Sequence, residues 1–325
     1  MFNKFMLLCV CIFYTLTGMS QTKKTTLSVQ IVGYQRDMIY FDCVQTPMIR
    51  AEFHTNPGEE HIYSFETERL VGLIINGSST FLLMPGDSLH IDLSYEGKTV
   101  QTAEFSGTPQ AVLQNQIYWD IRNLKRDMRY KSQLLGCAVL DVKPKDRIAD
   151  SRILTERVKK MLADNAEDMT PEAASYIQAE TDSYLYNSLM EYPVMYAELR
   201  KLPVEQQEIG DYWKCMEDYT LREDVASLSC PEYVGMLMRY AAFMQEKKAH
   251  EAGGSYERPG TFESMFEEFS VFYMGDIRDA VLYNLICNFI RGGKEIERVD
   301  PLLKEYKEKY NRNKEYARIL DSLMQ

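Results

Sequence analysis

The sequence predicts an α+β protein in which an N-terminal antiparallel β-sandwich or partly open barrel precedes an all-α domain of helical hairpins. Two observations support this prediction. Before residue 108, short apolar runs of period two alternate with turn residues, which is typical of antiparallel strands. After Thr108-Pro109, apolar residues recur every three or four positions, as they do on the buried face of a helix. We therefore expect a β-rich domain at 24–107 and a helical domain at 108–325.

About eight short strands are expected in the β-rich region. Turn residues separate them, most clearly Thr-Asn-Pro-Gly at 55–58 and Asn-Gly-Ser-Ser at 76–79, where glycine, proline and asparagine favour chain reversal. The connections are too short to contain crossover helices, so parallel βαβ units are excluded. The expected strands cover 26–32, 38–43, 48–53, 61–66, 70–75, 81–84, 89–94 and 99–105.

Helix starts are marked by a capping residue followed by proline at 108–109, 170–171 and 300–301. The side-chain oxygen of Thr or Asp can accept a hydrogen bond from a free backbone N–H, and proline at the first helical position has no N–H to leave unpaired. The segment Ser229-Cys-Pro-Glu232 has the pattern of a capping box. We expect about eight helices packed as hairpins, with breaks at 136–141, 202–203, 253–254 and 292–293.

Tyrosine and methionine are frequent in the helical region, as at 184–192 and 271–274. Such side chains can line a groove that binds a partner peptide or helix. They can also form a core in which tyrosine hydroxyls reach the surface, and this is the interpretation we adopt.

The first twenty residues have the pattern of a secretory signal peptide. Lys4 supplies the positive charge, residues 5–15 are apolar, and Gly18-Met-Ser20 resembles a cleavage site. We therefore expect a periplasmic or otherwise exported chain that begins near Gln21, with a lipoprotein as the weaker alternative. No later segment approaches the roughly 20 apolar residues that a transmembrane helix needs, so no transmembrane segment is expected.

The charge balance disfavours nucleic acid as a partner. The formal net charge is -11, and a polyanion would be repelled unless a local basic patch compensated. The longest basic cluster, at 122–131, is interrupted by Asp127. We therefore expect no nucleic-acid binding.

The cysteines do not predict a disulfide framework or a redox motif. Two of the seven, Cys9 and Cys11, lie in the predicted leader, and the others are widely scattered. No two form a C-x-x-C pair, in which one thiol attacks and its neighbour resolves the mixed disulfide. We expect buried apolar cysteines with at most one bridge among Cys43, Cys137, Cys215, Cys230 and Cys287.

Four histidines give few candidates for catalysis or metal binding. His54 and His61 flank a turn that contains Glu59 and Glu60, and if the two flanking strands pair, these groups could meet around a metal ion. The alternative, which we favour, is the solvated tip of a hairpin, because no H-E-x-x-H pattern supports a metal. The remaining histidines are also expected to be solvated: His90 and His250.

None of the common catalytic or nucleotide-binding motifs occurs in the sequence. The G-x-S-x-G elbow, the phosphate-binding G-x-x-x-x-G-K-[ST] loop and a G-x-G-x-x-G segment after a strand are all missing. Carboxylates such as Glu263, Glu267 and Glu268 are expected on exposed helix faces, and none forms a distinct pair for glycosidic chemistry. We therefore assign no catalytic, cofactor-binding or metal-binding residue, and we expect no cofactor.

Four segments resemble the region that precedes the thioredoxin-like domain in TlpA-type thiol-disulfide oxidoreductases of Bacteroidetes. The resemblance covers most of the chain after the leader and implies the same order of a β-rich and a helical part. The four segments are Phe-Leu-Leu-Met-Pro-Gly-Asp-Ser-Leu at 81–89, Phe-Ser-Gly-Thr at 105–108, Ser-Cys-Pro-Glu-Tyr at 229–233 and Met-Gly-Asp-Ile-Arg-Asp-Ala-Val-Leu at 274–282.

The sequence departs from that family after its closing helix, at 304–324. In the family a thioredoxin-like domain with a W-C-x-x-C motif follows this helix, whereas this sequence ends at Gln325. No residue here matches a catalytic position of the family. The resemblance therefore implies either a stand-alone relative of the non-catalytic half or a truncated oxidoreductase.

These observations favour a non-enzymatic role. We expect an exported accessory or interaction module of the cell envelope that binds another envelope protein, such as a thioredoxin-like protein. Two alternatives stay open: a thiol-disulfide oxidoreductase that is truncated or split from its thioredoxin domain, and a periplasmic small-ligand-binding protein with a pocket between its domains. A deep pocket with convergent polar groups would favour the second alternative.

Overall fold

The computed structural model describes residues 23–44, 50–56, 58–128, 142–293 and 295–325. The predicted leader at 1–20, Cys137 and the helix break expected at 136–141 lie outside these ranges. The described part has the predicted α+β fold, with two four-stranded sheets followed by helices. The two sheets do not close into a barrel.

Eight strands form the described β region, and they pair in the orders β4-β1-β7-β8 and β3-β2-β5-β6. Each sheet alternates inward and outward side chains along its strands, as the pleat requires. The strands are β1 (Lys23–Tyr34), β2 (Met38–Cys43), β3 (Arg50–His54), β4 (Glu60–Thr67), β5 (Val71–Ile75), β6 (Ser79–Leu83), β7 (Ser88–Gly97) and β8 (Thr99–Gly107).

One strand pair departs from the predicted antiparallel arrangement. Strands β1 and β7 run parallel, with Thr26 opposite Ser88, whereas the other described pairs are antiparallel. The connection between them passes through five strands rather than a helix. The short connections correctly excluded a βαβ unit. They did not exclude two parallel strands that are connected through other strands of the sandwich.

The two sheets pack face to face over a shared apolar core. Their inward-facing side chains are almost completely excluded from solvent, and this burial is the main favourable contribution to folding of a sandwich. Representative members are Leu27, Val29 and Ile91 from one sheet and Ile39, Phe41 and Leu73 from the other.

Ten α-helical segments occur in the described helical region, joined by short 3₁₀ turns, and a π-helical turn covers Tyr306–Tyr310. None of these helices is long and apolar enough to cross a membrane. The segments are α1 (Pro109–Asp127), α2 (Pro144–Asp164), α3 (Pro171–Met190), α4 (Tyr192–Arg200), α5 (Val225–Leu228), α6 (Pro231–Glu251), α7 (Phe262–Phe272), α8 (Gly275–Gly292), α9 (Val299–Glu305) and α10 (Lys314–Leu323).

The predicted helix starts are confirmed at Pro109 and Pro171, although only Thr170 caps its helix, accepting a hydrogen bond from the Ala173 N–H at 3.2 Å. At the third Pro signal α9 begins earlier, at Val299. The predicted capping box at 229–232 is wrong, because residue 230 occupies the N-cap position and makes no side-chain cap hydrogen bond.

Helix α1 joins the helical region to the sandwich at the outer strand β6. The Asn115 Oδ1 atom accepts from the Leu82 N–H at 2.7 Å, and its Nδ2 donates to the Leu82 carbonyl at 2.7 Å and to the Ala111 carbonyl at 2.8 Å. Asn115 is 1% exposed. One buried side-chain amide therefore forms the hydrogen bonds that the N–H and the carbonyl of Leu82 need at the edge of the sheet, and it connects α1 to this edge strand.

Candidate functional site: a cleft between the sheets and the helices

A cavity of about 880 Å³ lies where the sandwich meets the helices. The sandwich contributes residues 43–44, at the end of β2, and 65–71, from the end of β4 to the start of β5. Helices α6, α7, α8 and α10 form the opposite walls. We call this cavity the interdomain cleft.

Two helices each present one continuous face to the interdomain cleft. The α6 residues that line it are Pro231, Val234, Gly235, Met238, Arg239 and Ala242. The α8 residues are Ala280, Tyr283, Asn284, Cys287, Asn288 and Arg291. Both sets recur every three or four positions, so each is a single stripe along its helix.

Apolar side chains form much of the cleft surface. Leu70, Val234 and Ile319 are buried and line the cavity from the β4–β5 link, α6 and α10 respectively. Tyr283 and Tyr316 stack face to face, with ring centroids 4.0 Å apart and an interplanar angle of 7°. Burial raises the pKa of Tyr316 to about 12, so its ring contributes a neutral, largely apolar surface.

Some charged groups of the cleft are paired with each other. Arg69, in the link between β4 and β5, forms an ion pair with Glu315 at the start of α10, and this pair connects two walls of the cleft. Arg318 lies 3.6 Å from Glu315 as well. Arg258 donates to Glu246 at 2.7 Å and lies 3.4 Å from Glu191; the hydrogen bond to Glu246 raises the pKa of Arg258.

Other cationic groups of the cleft have no carboxylate partner. Arg239, Arg291 and Lys314 line the cavity, and no described carboxylate lies within 4.0 Å of any of them. Among the described residues, Arg239 donates one hydrogen bond, to the Gly235 carbonyl at 3.0 Å. The lining carries six cationic and four anionic side chains, whereas the whole protein has a net charge of -11. The interdomain cleft is therefore locally basic in an acidic protein.

A buried polar network connects α1 and α3, and Glu232 of α6 lies close enough to feel the charge of Glu180. Lys125 donates to Glu180 Oε2 at 2.8 Å, and the Tyr118 hydroxyl donates to Glu180 Oε1 at 3.0 Å. Part of Glu232 reaches solvent, yet the protein atoms packed around its carboxyl group, together with the charge of Glu180, raise its pKa. The network pairs the charge of Glu180 and joins α1 to α3.

The described cysteines are poorly suited to redox chemistry. Cys43, Cys215, Cys230 and Cys287 form no disulfide with one another, and all but Cys215 are buried. Burial raises the pKa of Cys215 to about 12 and of Cys287 to about 11, and it raises that of Cys230 as well. Because the thiolate is the nucleophile, thiols with raised pKa values react slowly near neutral pH.

The histidine site considered at the β3–β4 connection does not form. His54 and His61 lie on β3 and β4, which belong to different sheets and do not pair. His61 is 4% exposed, sits opposite Val29 and packs on Phe53 at 5.4 Å, so it is not at a solvated hairpin tip. Across the described residues there is no group of three side chains suited to hold a metal ion.

His250 is exposed, as the sequence predicts, whereas His90 is half-buried, and both contact neighbouring side chains. His90 Nδ1 lies 2.8 Å from Ser28 Oγ and 3.1 Å from Glu60 Oε1, on the outer face of its sheet. His250 stacks on Trp213 at 4.5 Å. Neither histidine lines the interdomain cleft.

The α7 carboxylates do not converge on one another. Glu263 forms an ion pair with Arg298, and the hydrogen bond from Arg298 lowers the pKa of Glu263 to about 2. Glu268 accepts a hydrogen bond from the Tyr256 hydroxyl. Their different partners leave no carboxylate pair with the geometry of a glycosidase site.

Sequence reasoning did not identify the residues of the interdomain cleft. The stripe on α6 contains Gly235 and Arg239 within an otherwise apolar face, and the stripe on α8 ends in Asn288 and Arg291. The signal in the sequence that could have indicated the cleft was the occurrence of polar residues at positions that continue an apolar stripe of a helix. Comparisons with protein-family models, curated proteins and solved structures found no match for this chain.

Proposed function

We propose that this chain is an exported ligand-binding protein that holds a small molecule in the interdomain cleft. The observation that carries the proposal is the cavity of about 880 Å³ with an apolar lining and convergent polar groups. Pockets that bind small molecules have volumes of roughly 300–1,000 Å³ and this same combination of surfaces. Among the roles considered from the sequence, small-ligand binding is the one that such a cleft supports best.

The thiol chemistry supports this choice over a redox enzyme. Burial raises the pKa values of Cys215, Cys230 and Cys287, and a thiol-disulfide oxidoreductase needs an accessible thiol with a lowered pKa. The accessory role expected from the sequence remains compatible with ligand binding, because a loaded binding protein can present its ligand to an envelope partner.

Gly235 offers a direct test of the proposal. It lies inside α6 and lines the cleft, and a Cβ atom added there would approach only Arg239 Nη1, at 3.6 Å. Gly235→Phe should therefore place its ring in the cleft without a backbone clash. Gly235→Ala is the matched control, since it adds only a methyl group and improves helix propensity by about 1 kcal/mol.

The assay is fluorescence titration with Nile red, a neutral apolar probe. We expect the wild-type protein and Gly235→Ala to bind the probe, and we expect Gly235→Phe to lose at least tenfold in affinity while keeping its circular dichroism spectrum and unfolding midpoint. No probe binding to the wild type, or equal binding to the folded Gly235→Phe variant, would refute a ligand site in the interdomain cleft.

A further inference from the structure

We infer that the ligand of the interdomain cleft is an amphipathic anion: an apolar body that carries one carboxylate or phosphate group. This inference rests on the proposed function and adds the chemical class of the ligand. The cations of the cleft that have no carboxylate partner support it.

The anionic end is indicated by the cations that have no carboxylate partner. Among the described residues, Arg239 and Arg291 make no ion pair, although both line the cavity. Like charges that line one cavity repel each other, and an anion bound in that cavity reduces the repulsion. Arginine is also well suited to bind the planar oxygen pair of a carboxylate or the oxygens of a phosphate.

The local charge supports an anion against the overall charge of the protein. A net charge of -11 repels anions from most of the surface. A basic cleft is therefore a region of the protein to which anions are attracted. The neighbouring arginines differ in this respect, because Arg69 and Arg258 are already held by Glu315 and Glu246. Only part of the cationic charge of the cleft is thus neutralised by carboxylates of the protein.

The apolar end is indicated by the apolar side chains that line the same cavity as the cations. Met238 and Ala242 on α6 and Ile319 on α10 line the same cavity as Arg239. Burying an alkyl group against such a surface is favourable by about 0.8 kcal/mol for each CH₂ group. Asn284 and Asn288 are joined by a hydrogen bond of 2.8 Å on α8 and supply further amide groups near the apolar wall. A free inorganic anion would leave this apolar surface uncovered.

The test is competition against bound Nile red by four probes of equal chain length: decanoate, decyl phosphate, decanol and decylamine. We expect decanoate or decyl phosphate to displace the dye at a concentration at least tenfold lower than decanol, and decylamine to be the weakest. Which of the two anions is stronger distinguishes a carboxylate ligand from a phosphate ligand, and either result supports the inference.

Arginine variants locate the charge effect. Arg239→Gln and Arg291→Gln should each reduce the preference for the anion over decanol by about tenfold, since a hydrogen bond to a charged group is lost. The preference is taken as a ratio within each variant, so that a change in Nile red affinity cancels. Arg157→Gln is the control, because Arg157 is an exposed arginine of α2 that does not line the cleft. Its preference should match that of the wild type.

The outcomes separate this inference from the proposed function. If Nile red binds and Gly235→Phe blocks it, but decanoate and decyl phosphate compete no better than decanol, the anionic ligand class is wrong and the ligand site stands. If Arg157→Gln reduces the preference as much as the cleft variants do, the assignment to Arg239 and Arg291 is wrong. If Nile red does not bind at all, both proposals fail.

Discussion

Asn115→Ala is expected to destabilise the joint between the sandwich and the helices. The Asn115 side chain is 1% exposed, and its amide bonds both the N–H and the carbonyl of Leu82 at 2.7 Å. Removing it leaves a buried donor without its acceptor. The carbonyl keeps only the longer contact from Gln114, at 3.4 Å.

The magnitude follows from these two backbone groups. A buried group that loses its hydrogen bond costs about 1–3 kcal/mol, and the Leu82 carbonyl loses less than the N–H because Gln114 remains. We expect the free energy of unfolding to fall by about 2–4 kcal/mol, a large fraction of the roughly 5–15 kcal/mol that stabilises a typical domain.

Urea unfolding followed by circular dichroism measures this loss. Gln116→Ala is the control, since Gln116 is an exposed amide one position along the same helix and bonds only to Asp120, at 3.0 Å. The control should change the unfolding free energy by less than about 0.5 kcal/mol. A similarly small change in Asn115→Ala would refute the view that this amide holds the two regions together.

Three further outcomes follow from the described contacts. Asp279 is buried and accepts from the backbone N–H groups of residues 312 and 313, at 2.8 and 2.7 Å. Asp279→Ala should therefore lower unfolding stability by at least about 2 kcal/mol and weaken Nile red binding, whereas the exposed Asp276→Ala should do neither. The pKa of Glu232 is raised in the folded protein, whereas in the unfolded chain it is about 4.3. As the pH rises above that value, the unfolded chain therefore loses this proton more readily than the folded protein does, and the free energy of unfolding falls until the pH has passed the folded-state pKa. Glu232→Gln should consequently be more stable than wild type in urea melts at pH 8 and equal to it at pH 4; a constant difference at both pH values would contradict a raised pKa for this carboxyl group. In a Cys137→Ser variant of the chain that begins at Gln21, the thiol reagent DTNB at pH 8 should react at least tenfold more slowly with the folded protein than with the protein in 8 M urea. Equal rates would contradict the burial of Cys43, Cys230 and Cys287 and the raised pKa of Cys215.

The fold class could be predicted because local patterns determine it. Alternation such as that of Leu89 and Ile91 and the Thr-Pro signal at 170–171 report on nearby residues, and both were confirmed. The parallel pairing of β1 with β7 joins residues about sixty positions apart. No local pattern encodes such a pairing, which depends on how the sheets pack.

The interdomain cleft was harder to predict for the same reason. Gly235 and Asn288 lie on faces that look like ordinary helix packing in sequence, and only the packing of α6 against α8 and the sandwich brings them to one cavity. The metal site considered at His54 and His61 required their strands to pair. Sequence proximity suggested that pairing, but the chain crosses from one sheet to the other between them.

A crystal structure of the protein grown with decanoate would test the ligand site most directly. We expect density for one decanoate in the interdomain cleft, with its carboxylate within hydrogen-bonding distance of Arg239 or Arg291 and its chain against Met238 and Ile319. A well-ordered structure in which decanoate occupies another surface, or in which the cleft contains only water, would contradict the assignment of this cavity as the binding site.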